Sequence, residues 1–528
     1  MRAGRIGVIG AGIAGLVTAK VLREDGFEVI VFEKEQAIGG VWTQSRTYPG
    51  LRTNNSRDTY AFSDHPYDRS ADIFPSAEQV RAYLASYVAR FELAPLLRLS
   101  TEVVRVSRHG NEFTVESCGP TGLSTVVCDF AVVCAGTFSE PDMPAIDGAD
   151  RFTGTVVHSS QATNPALFAG RRVVIVGAGK SALDCAAWAG SHAQECTLVF
   201  RKAHWMMPRY FPGGIPADRL TLGRSTEAFF RYHHPSLMER LLHGPGKQLT
   251  NLVWRVVSLL FRFLLRMPAA MVPDEPMPTG IENLGFGKEF YDMARRGRLV
   301  LRRDSVAAFL GGPQVLLASG DQIAADIVVF ATGWRQPLSF LAPELRTPVV
   351  SDGRFQLYRH ILPPTEQRLG FVGYASSTAC QLSSEISAHW LSRCFRGELA
   401  LPSLDEMQTE IRRVQAWLEE VMPARPQGYQ IGPHLVHHID DLLADMGLPT
   451  RRTSNFVSEY FGSFSPTRYR NLAQERRPAR GRKIDRRRYY LSAQHALAAF
   501  AALTLVGVLR RHNATRRRTN EHPDRNQT

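Results

Sequence analysis

The chain has 528 residues, 44% of them hydrophobic, which is enough for two or three domains with sizeable cores. Its net charge of +13 sits almost wholly in residues 466–528, which hold 16 Lys/Arg against 4 Asp/Glu, so the basic balance marks a tail and argues against a nucleic-acid-binding face on the body. Seven cysteines contain no Cys-x-x-Cys pair, which argues against a disulfide-reductase centre and a zinc knuckle, and no metal ligand set is expected.

Ile6-Gly7-Val8-Ile9 reads as a short buried strand, starting too early for a secretory segment to precede it, so the N-terminus is expected to stay cytosolic. It runs into Gly10-Ala11-Gly12-Ile13-Ala14-Gly15, where a helix begins. Glycines at 10, 12 and 15 permit a tight turn and a close approach to a pyrophosphate on the helix N-terminus. The next strand, 28–32, ends in Glu33, 23 residues after Gly10, where an acid accepts from ribose hydroxyls. An acid repels a 2′-phosphate, so this loop suits FAD or NAD. The alternative is a strand–helix crossover without a ligand.

Alternating strands follow from about 99 to 133, closing on the apolar run 130–134 and Gly136. A second unit then begins. Val173-Val174-Ile175-Val176 leads into Gly177-Ala178-Gly179-Lys180-Ser181-Ala182, and the next strand, 197–200, ends in Arg201-Lys202. Arg201 lies 24 residues after Gly177, where the first loop has Glu33. A guanidinium there pairs with a phosphate in a forked geometry, so this loop reads as an NADPH site. A solvated basic pair is the alternative.

Leu252 to Met267 is apolar except for Arg255, Ser258, Arg262 and Arg266, which share one helical face. Such a helix lies at a membrane surface, roofs a channel, or packs between domains with its arginines in water. A strand-then-glycine segment returns at 327–333, which predicts that the chain re-enters the first domain there.

The fold expected is α/β, with two Rossmann-like dinucleotide-binding domains and the NADPH domain inserted into the FAD domain. The first part of the FAD domain spans 1–155. The NADPH domain spans 156–325, with an insertion near 210–290. The second part of the FAD domain and a C-terminal region span 326–460, and 466–528 is a basic tail. Within the tail, 491–509 is apolar between arginine clusters, and only 496–509 is nearly free of polar residues. That fits a marginal anchor, a helix on anionic lipid, or a partner-binding arm.

Further segments carry a resemblance. They are Gly39-Gly40-Val41-Trp42, the run from Tyr48-Pro49-Gly50 to Thr53-Asn54-Asn55-Ser56-Arg57, Phe152-Thr153-Gly154 to His158, and Phe330-Ala331-Thr332-Gly333-Trp334. From residue 5 to about 400 the ordered set resembles the flavin-containing monooxygenases, within the class B flavoprotein monooxygenases. Two departures stand out. Ala162-Thr163 replaces the dipeptide that labels either subclass. Tyr48-Pro49-Gly50 is similar to the Baeyer–Villiger branch, whereas Asn54 fits the branch that oxygenates nitrogen and sulfur.

The resemblance implies FAD and NADPH as cofactors, O2 as co-substrate, and a flavin C4a-hydroperoxide that oxygenates nitrogen or sulfur of a small lipophilic molecule. The peroxide is itself electrophilic, so no Ser-His-Asp or paired-carboxylate motif is required. Gly10, Gly12, Gly15 and Glu33 would bind FAD, Gly40 and Trp42 would approach the flavin, and Thr332-Gly333 would turn beside it. Gly177, Gly179, Ser181, Arg201 and Lys202 would bind NADPH, with Arg209 a further candidate. Asn54 is the catalytic candidate, its amide donating and accepting near both cofactors. His158 is expected to orient the hinge. Two other readings stay open: Baeyer–Villiger oxidation of a ketone, and a membrane-tethered NADPH oxidase or redox sensor. On the membrane reading the protein sits on the cytosolic face; otherwise it is cytoplasmic. The sequence names neither substrate nor oligomeric state.

Overall fold

A computed structural model describes residues 3–476, apart from Pro49, Gly280, 423–427 and Tyr429. The apolar stretch 491–509 and its flanking arginines lie outside the described residues.

The first parallel sheet is built from apolar runs covered on both faces. Strand β1 (Ala3–Ile9) leads through the first glycine loop into helix α1 (Ile13–Glu24), and β2 (Phe27–Phe32) pairs with β1 in parallel. A short strand, Leu97–Arg98, extends the edge beside β2. The antiparallel strands Glu102–His109, Glu112–Gly119 and Gly122–Cys128 form the expected meander. Strand β3 (Phe130–Val133) then returns beside β1.

The second sheet repeats this plan. Strand β4 (Arg172–Val176), the second glycine loop, helix α2 (Lys180–His192) and β5 (Glu195–Val199) form its core, flanked by parallel strands Thr155–His158 and Val300–Arg302. A second antiparallel meander covers 306–324, and β6 (Ile327–Phe330) closes the unit against β4. Between β5 and Val300–Arg302 the chain adds helices α3 (Leu237–His243) and α4 (Lys247–Leu265). It re-enters the first sheet only at β7 (Leu369–Phe371), beside β3, and then forms helix α5 (Cys380–Phe395) in the same apolar core as α1. Helix α6 (Leu435–Asp445) packs on α5.

Two boundaries differ from expectation. Segment 327–333 is not the return to the first domain. It resembles 130–136 because each is the last strand of its own Rossmann unit: β6 pairs with Val173–Val176 as β3 pairs with Ile6–Ile9. The tail also starts later than 466, since Tyr469 and Leu472 are buried and Arg476 is ion-paired with Asp25 at 2.9 Å.

The two crossings between the domains lie side by side. Glu140–Pro141 pairs antiparallel with Trp334–Arg335, making a two-stranded ribbon at the hinge.

Candidate active site

Both glycine loops have the geometry of a phosphate cradle. Gly10 has φ +105°, and a Cβ there would lie 2.6 Å from the Cys134 carbonyl oxygen. A Cβ on Gly15 would lie 1.8 Å from the Gly10 oxygen, so helix and strand pack only with glycine at 15. Gly12 caps α1 without a side-chain partner, leaving first-turn N–H groups for an anion. Gly40 stands against Gly12, where its Cβ would be 3.3 Å from the Gly12 Cα. Buried Trp42 follows, its indole N–H donating to the Tyr60 hydroxyl at 3.1 Å.

Glu33 is buried at the end of β2. Its Oε2 accepts from the Ala11 amide at 2.7 Å, and its Oε1 from the Glu35 amide at 2.9 Å. Each oxygen keeps a lone pair for a ribose hydroxyl. The carboxylate thus sits within the loop it is expected to serve.

The second loop matches. Gly177 has φ +133°, and its Cβ would be 2.6 Å from the Ala331 oxygen. Gly179 caps α2 with open space above its Cα, and Ser181 is half-buried in the first turn. Arg201 is exposed just beyond β5 and makes no ion pair among the described residues, so its guanidinium is available. Lys202, by contrast, pairs with Glu275 at 3.0 Å. Arg209 is stacked over Phe74 of the first domain, and its charge reaches Tyr48.

Thr332 and Gly333 follow β6, whose end is hydrogen-bonded to Val176 ahead of the second loop. The Thr332 hydroxyl donates to the Asp142 oxygen at 2.5 Å, and Gly333 lies on the hinge. His158 serves that hinge too. Its Nε2–H donates to the Gly333 oxygen at 3.0 Å while Nδ1 accepts from the Ser160 amide at 3.2 Å, a neutral tautomer. Burial lowers its pKa, in keeping with a neutral, structural imidazole.

Asn54 is half-buried in a loop held from both domains. Asp218, in the short helix Asp218–Thr221 of the inserted segment, takes three hydrogen bonds on one oxygen: from the Ser56 amide at 2.9 Å, the Ser56 hydroxyl at 2.6 Å and the Thr59 hydroxyl at 2.5 Å. Gly285, in the strand Ile281–Phe286, stands so close that a Cβ would be 2.0 Å from the Asn54 carbonyl oxygen. Nearby, the Tyr48 hydroxyl donates to Asp184 of α2, which Lys180 also contacts. Burial, and then the Asp184 charge, raise the Tyr48 pKa, so its proton stays on oxygen. Asp218 and Gly285 lie in a stretch without a motif, so nothing in the residue pattern points to them. Asp184 had one faint signal, its spacing of four from Lys180 on a helix.

The described cysteines are all free, and burial pushes the Cys134 and Cys185 thiols up to about 12, so neither is a thiolate for redox exchange. His233, His234 and Glu410 have donor atoms within 4.8 Å of one another, but the Arg359 and Arg413 guanidiniums already meet the Glu410 carboxylate.

The family model described as "Flavin-binding monooxygenase-like" matches residues 3–252 and 298–472. The chain belongs to this family. A flavoprotein monooxygenase of this kind uses FAD and NADPH, and the two glycine loops fit that pair. The chain is 28% identical over 527 residues to the probable flavin-containing monooxygenase 1 of Arabidopsis thaliana, covering 89% of this chain and 97% of that protein. Among solved structures, S-allyl-L-cysteine S-oxygenase from Allium sativum shares the fold with a TM-score of 0.60 at 22% identity, over 95% of this chain and 98% of that one. The OTEMO complex with FAD and NADP shares it with a TM-score of 0.63 at 18% identity, over 80% and 91%. The family's flavin monooxygenases act on small molecules with O2.

Proposed function

We propose that this monooxygenase transfers oxygen to nitrogen or sulfur of a small lipophilic substrate. Gly10, Gly12, Gly15, Glu33, Gly40 and Trp42 would hold FAD, and Gly177, Gly179, Ser181 and Arg201 would hold NADPH. Lys202 contributes less, because Glu275 competes for it. Thr332 and Gly333 would fix the hinge between the two sites. Bound together, the two cofactors supply reducing equivalents and activated oxygen.

The chain's own part is to position and to keep dry. The Glu33 carboxylate accepts from ribose hydroxyls. The uncapped first turns of α1 and α2 offer N–H groups to the two pyrophosphates. The Arg201 guanidinium binds a 2′-phosphate. The Asn54 amide donates and accepts where the two domains meet.

One observation carries this reading: Asp218 from the inserted segment and Ser56 and Thr59 from the first domain clamp the loop that bears Asn54. The similarity to an S-oxygenase supports heteroatom chemistry. The basic tail, with its apolar segment 491–509, would attach the protein to the cytosolic face of a membrane.

The test is a product assay with a thioether, a tertiary amine and a cyclic ketone, run with NADPH and O2. Sulfoxide or N-oxide formed in step with NADPH consumption supports the proposal. A lactone without sulfoxide would move it to Baeyer–Villiger chemistry. NADPH consumed only into hydrogen peroxide would move it to an oxidase.

A further inference from the structure

Helix α4 has two apolar stripes. The inner one, Thr250, Trp254, Phe261 and Leu265, is buried against the body, with Trp205 and Met277 in the same cluster. The outer one faces solvent: Leu249 is 42% exposed, Leu252 56%, Val256 58%, Leu259 61%, Leu260 40% and Phe263 78%. Those positions follow three- and four-residue steps, so they form one continuous strip along the helix. Neighbouring α3 adds Leu237 at 46% and Leu241 at 40%. Six to eight large apolar side chains grouped on one face mark an interaction surface, not ordinary scatter.

The charge carried by the helix itself is all of one sign. Arg255 and Arg262 run along one flank of the outer strip, Arg266 ends it, and Lys247 begins the helix. No Asp or Glu occurs between Lys247 and Leu265. By length and composition α4 is apolar enough to cross a bilayer, but its inner stripe is engaged with the body, so it can only lie flat.

We infer that the outer face of α4, extended by Leu237 and Leu241 of α3, is a docking surface for an anionic phospholipid bilayer, with the helix lying in the interface plane. The charge selects this occupant over two others. A second copy seated on the same face brings no acidic side chain from this helix to offset Arg255, Arg262 and Arg266. The chain's own segment 491–509 is bracketed by Arg486–Arg488 and Arg510–Arg511, which would meet those same arginines. Anionic headgroups complement the arginine flank, and the acyl boundary takes the apolar strip. This inference does not depend on which substrate is oxygenated.

The test uses the full-length flavin-loaded protein with Phe263→Cys in a Cys118→Ser background, carrying a nitroxide at position 263. The Cys118→Ser protein without the new cysteine gives the background signal. Collision of the nitroxide with oxygen and with a water-soluble nickel chelate is measured alone, with phosphatidylcholine vesicles, and with vesicles of phosphatidylcholine and phosphatidylglycerol. The expected result is exposure to nickel in solution and a severalfold shift from nickel to oxygen collisions on the anionic vesicles. Arg255→Glu with Arg262→Glu should weaken vesicle binding at least roughly tenfold, given the contribution of each basic residue near an anionic surface. Leu259→Gln is the milder variant should the double reversal lose flavin, and it should weaken binding in the same direction. Three outcomes would overturn the inference: a nitroxide already shielded before vesicles are added, which would mean the face is covered by the chain itself or by a second copy; vesicle binding with the nitroxide still in water, which would mean only the tail attaches; or no vesicle binding at all.

Discussion

The Ser56 hydroxyl lies 2.6 Å from Asp218 Oδ2, a contact that joins the loop carrying Asn54 to the segment inserted in the second domain. The same oxygen also holds the Ser56 amide and the Thr59 hydroxyl, and all three residues are buried. Asp218→Ala would strand three donors without water, costing about 3 kcal/mol in stability. The expected outcome is a lower thermal midpoint together with NADPH oxidation that no longer tracks product. Unchanged coupling would show that the clamp does not position Asn54.

Arg201→Ala should raise the KM for NADPH roughly tenfold or more, the worth of a charge-assisted hydrogen bond, and leave the KM for NADH within about twofold. Lys202→Ala should do less, because Lys202 is already paired with Glu275. Steady-state kinetics with both nucleotides decides the matter; equal effects of Arg201→Ala on both would remove the NADPH assignment from the second loop.

Gly15→Ala places a Cβ 1.8 Å from the Gly10 oxygen, which helix and strand cannot accommodate together. The protein should purify with much less flavin, read from its absorbance near 450 nm relative to 280 nm. Gly26→Ala is a useful comparison, since nothing lies within 4 Å of that position, although its φ of +91° adds local strain.

His437 gives a pH dependence with a definite sign. Burial alone would lower its pKa, but hydrogen bonds to Glu227 and Glu239 outweigh that and raise it well above the usual value. A raised histidine pKa contributes stability that is fully present below about pH 6.5 and fades as pH rises through the folded value. Unfolding midpoints measured from pH 6 to pH 10 should therefore fall with pH in the parent, and fall less in His437→Gln. Parallel curves would mean that His437 is not charged in the fold.

Much of this was legible beforehand because glycine loops are local. Gly10, Gly15 and Gly177 stand at fixed spacing after an apolar strand, and the backbone there has no room for a Cβ, whereas the ribose and phosphate roles of Glu33 and Arg201 belong to the proposal. What failed was assignment by likeness. Segment 327–333 looks like 130–136 because both close a Rossmann unit, and only strand pairing tells which sheet each joins. Residues 466–476 looked like tail because arginine reads as solvent-exposed, yet Arg476 is buried against Asp25. Asp218 and Gly285 were invisible because long-range contacts across an unmotifed insertion leave no periodicity to read.

The paired crossings at Glu140–Pro141 and Trp334–Arg335 have an architectural consequence. To the first sheet, everything between Pro141 and Trp334 is a hairpin tip. Its ends are already joined by backbone hydrogen bonds, so the host loses little chain entropy by carrying a long insert in place of a short one. The inserted half thus leaves and rejoins the chain at two neighbouring points, and contacts such as Asp218 with Ser56 and Gly285 with Asn54, more than the chain connection, set how it sits on the first domain.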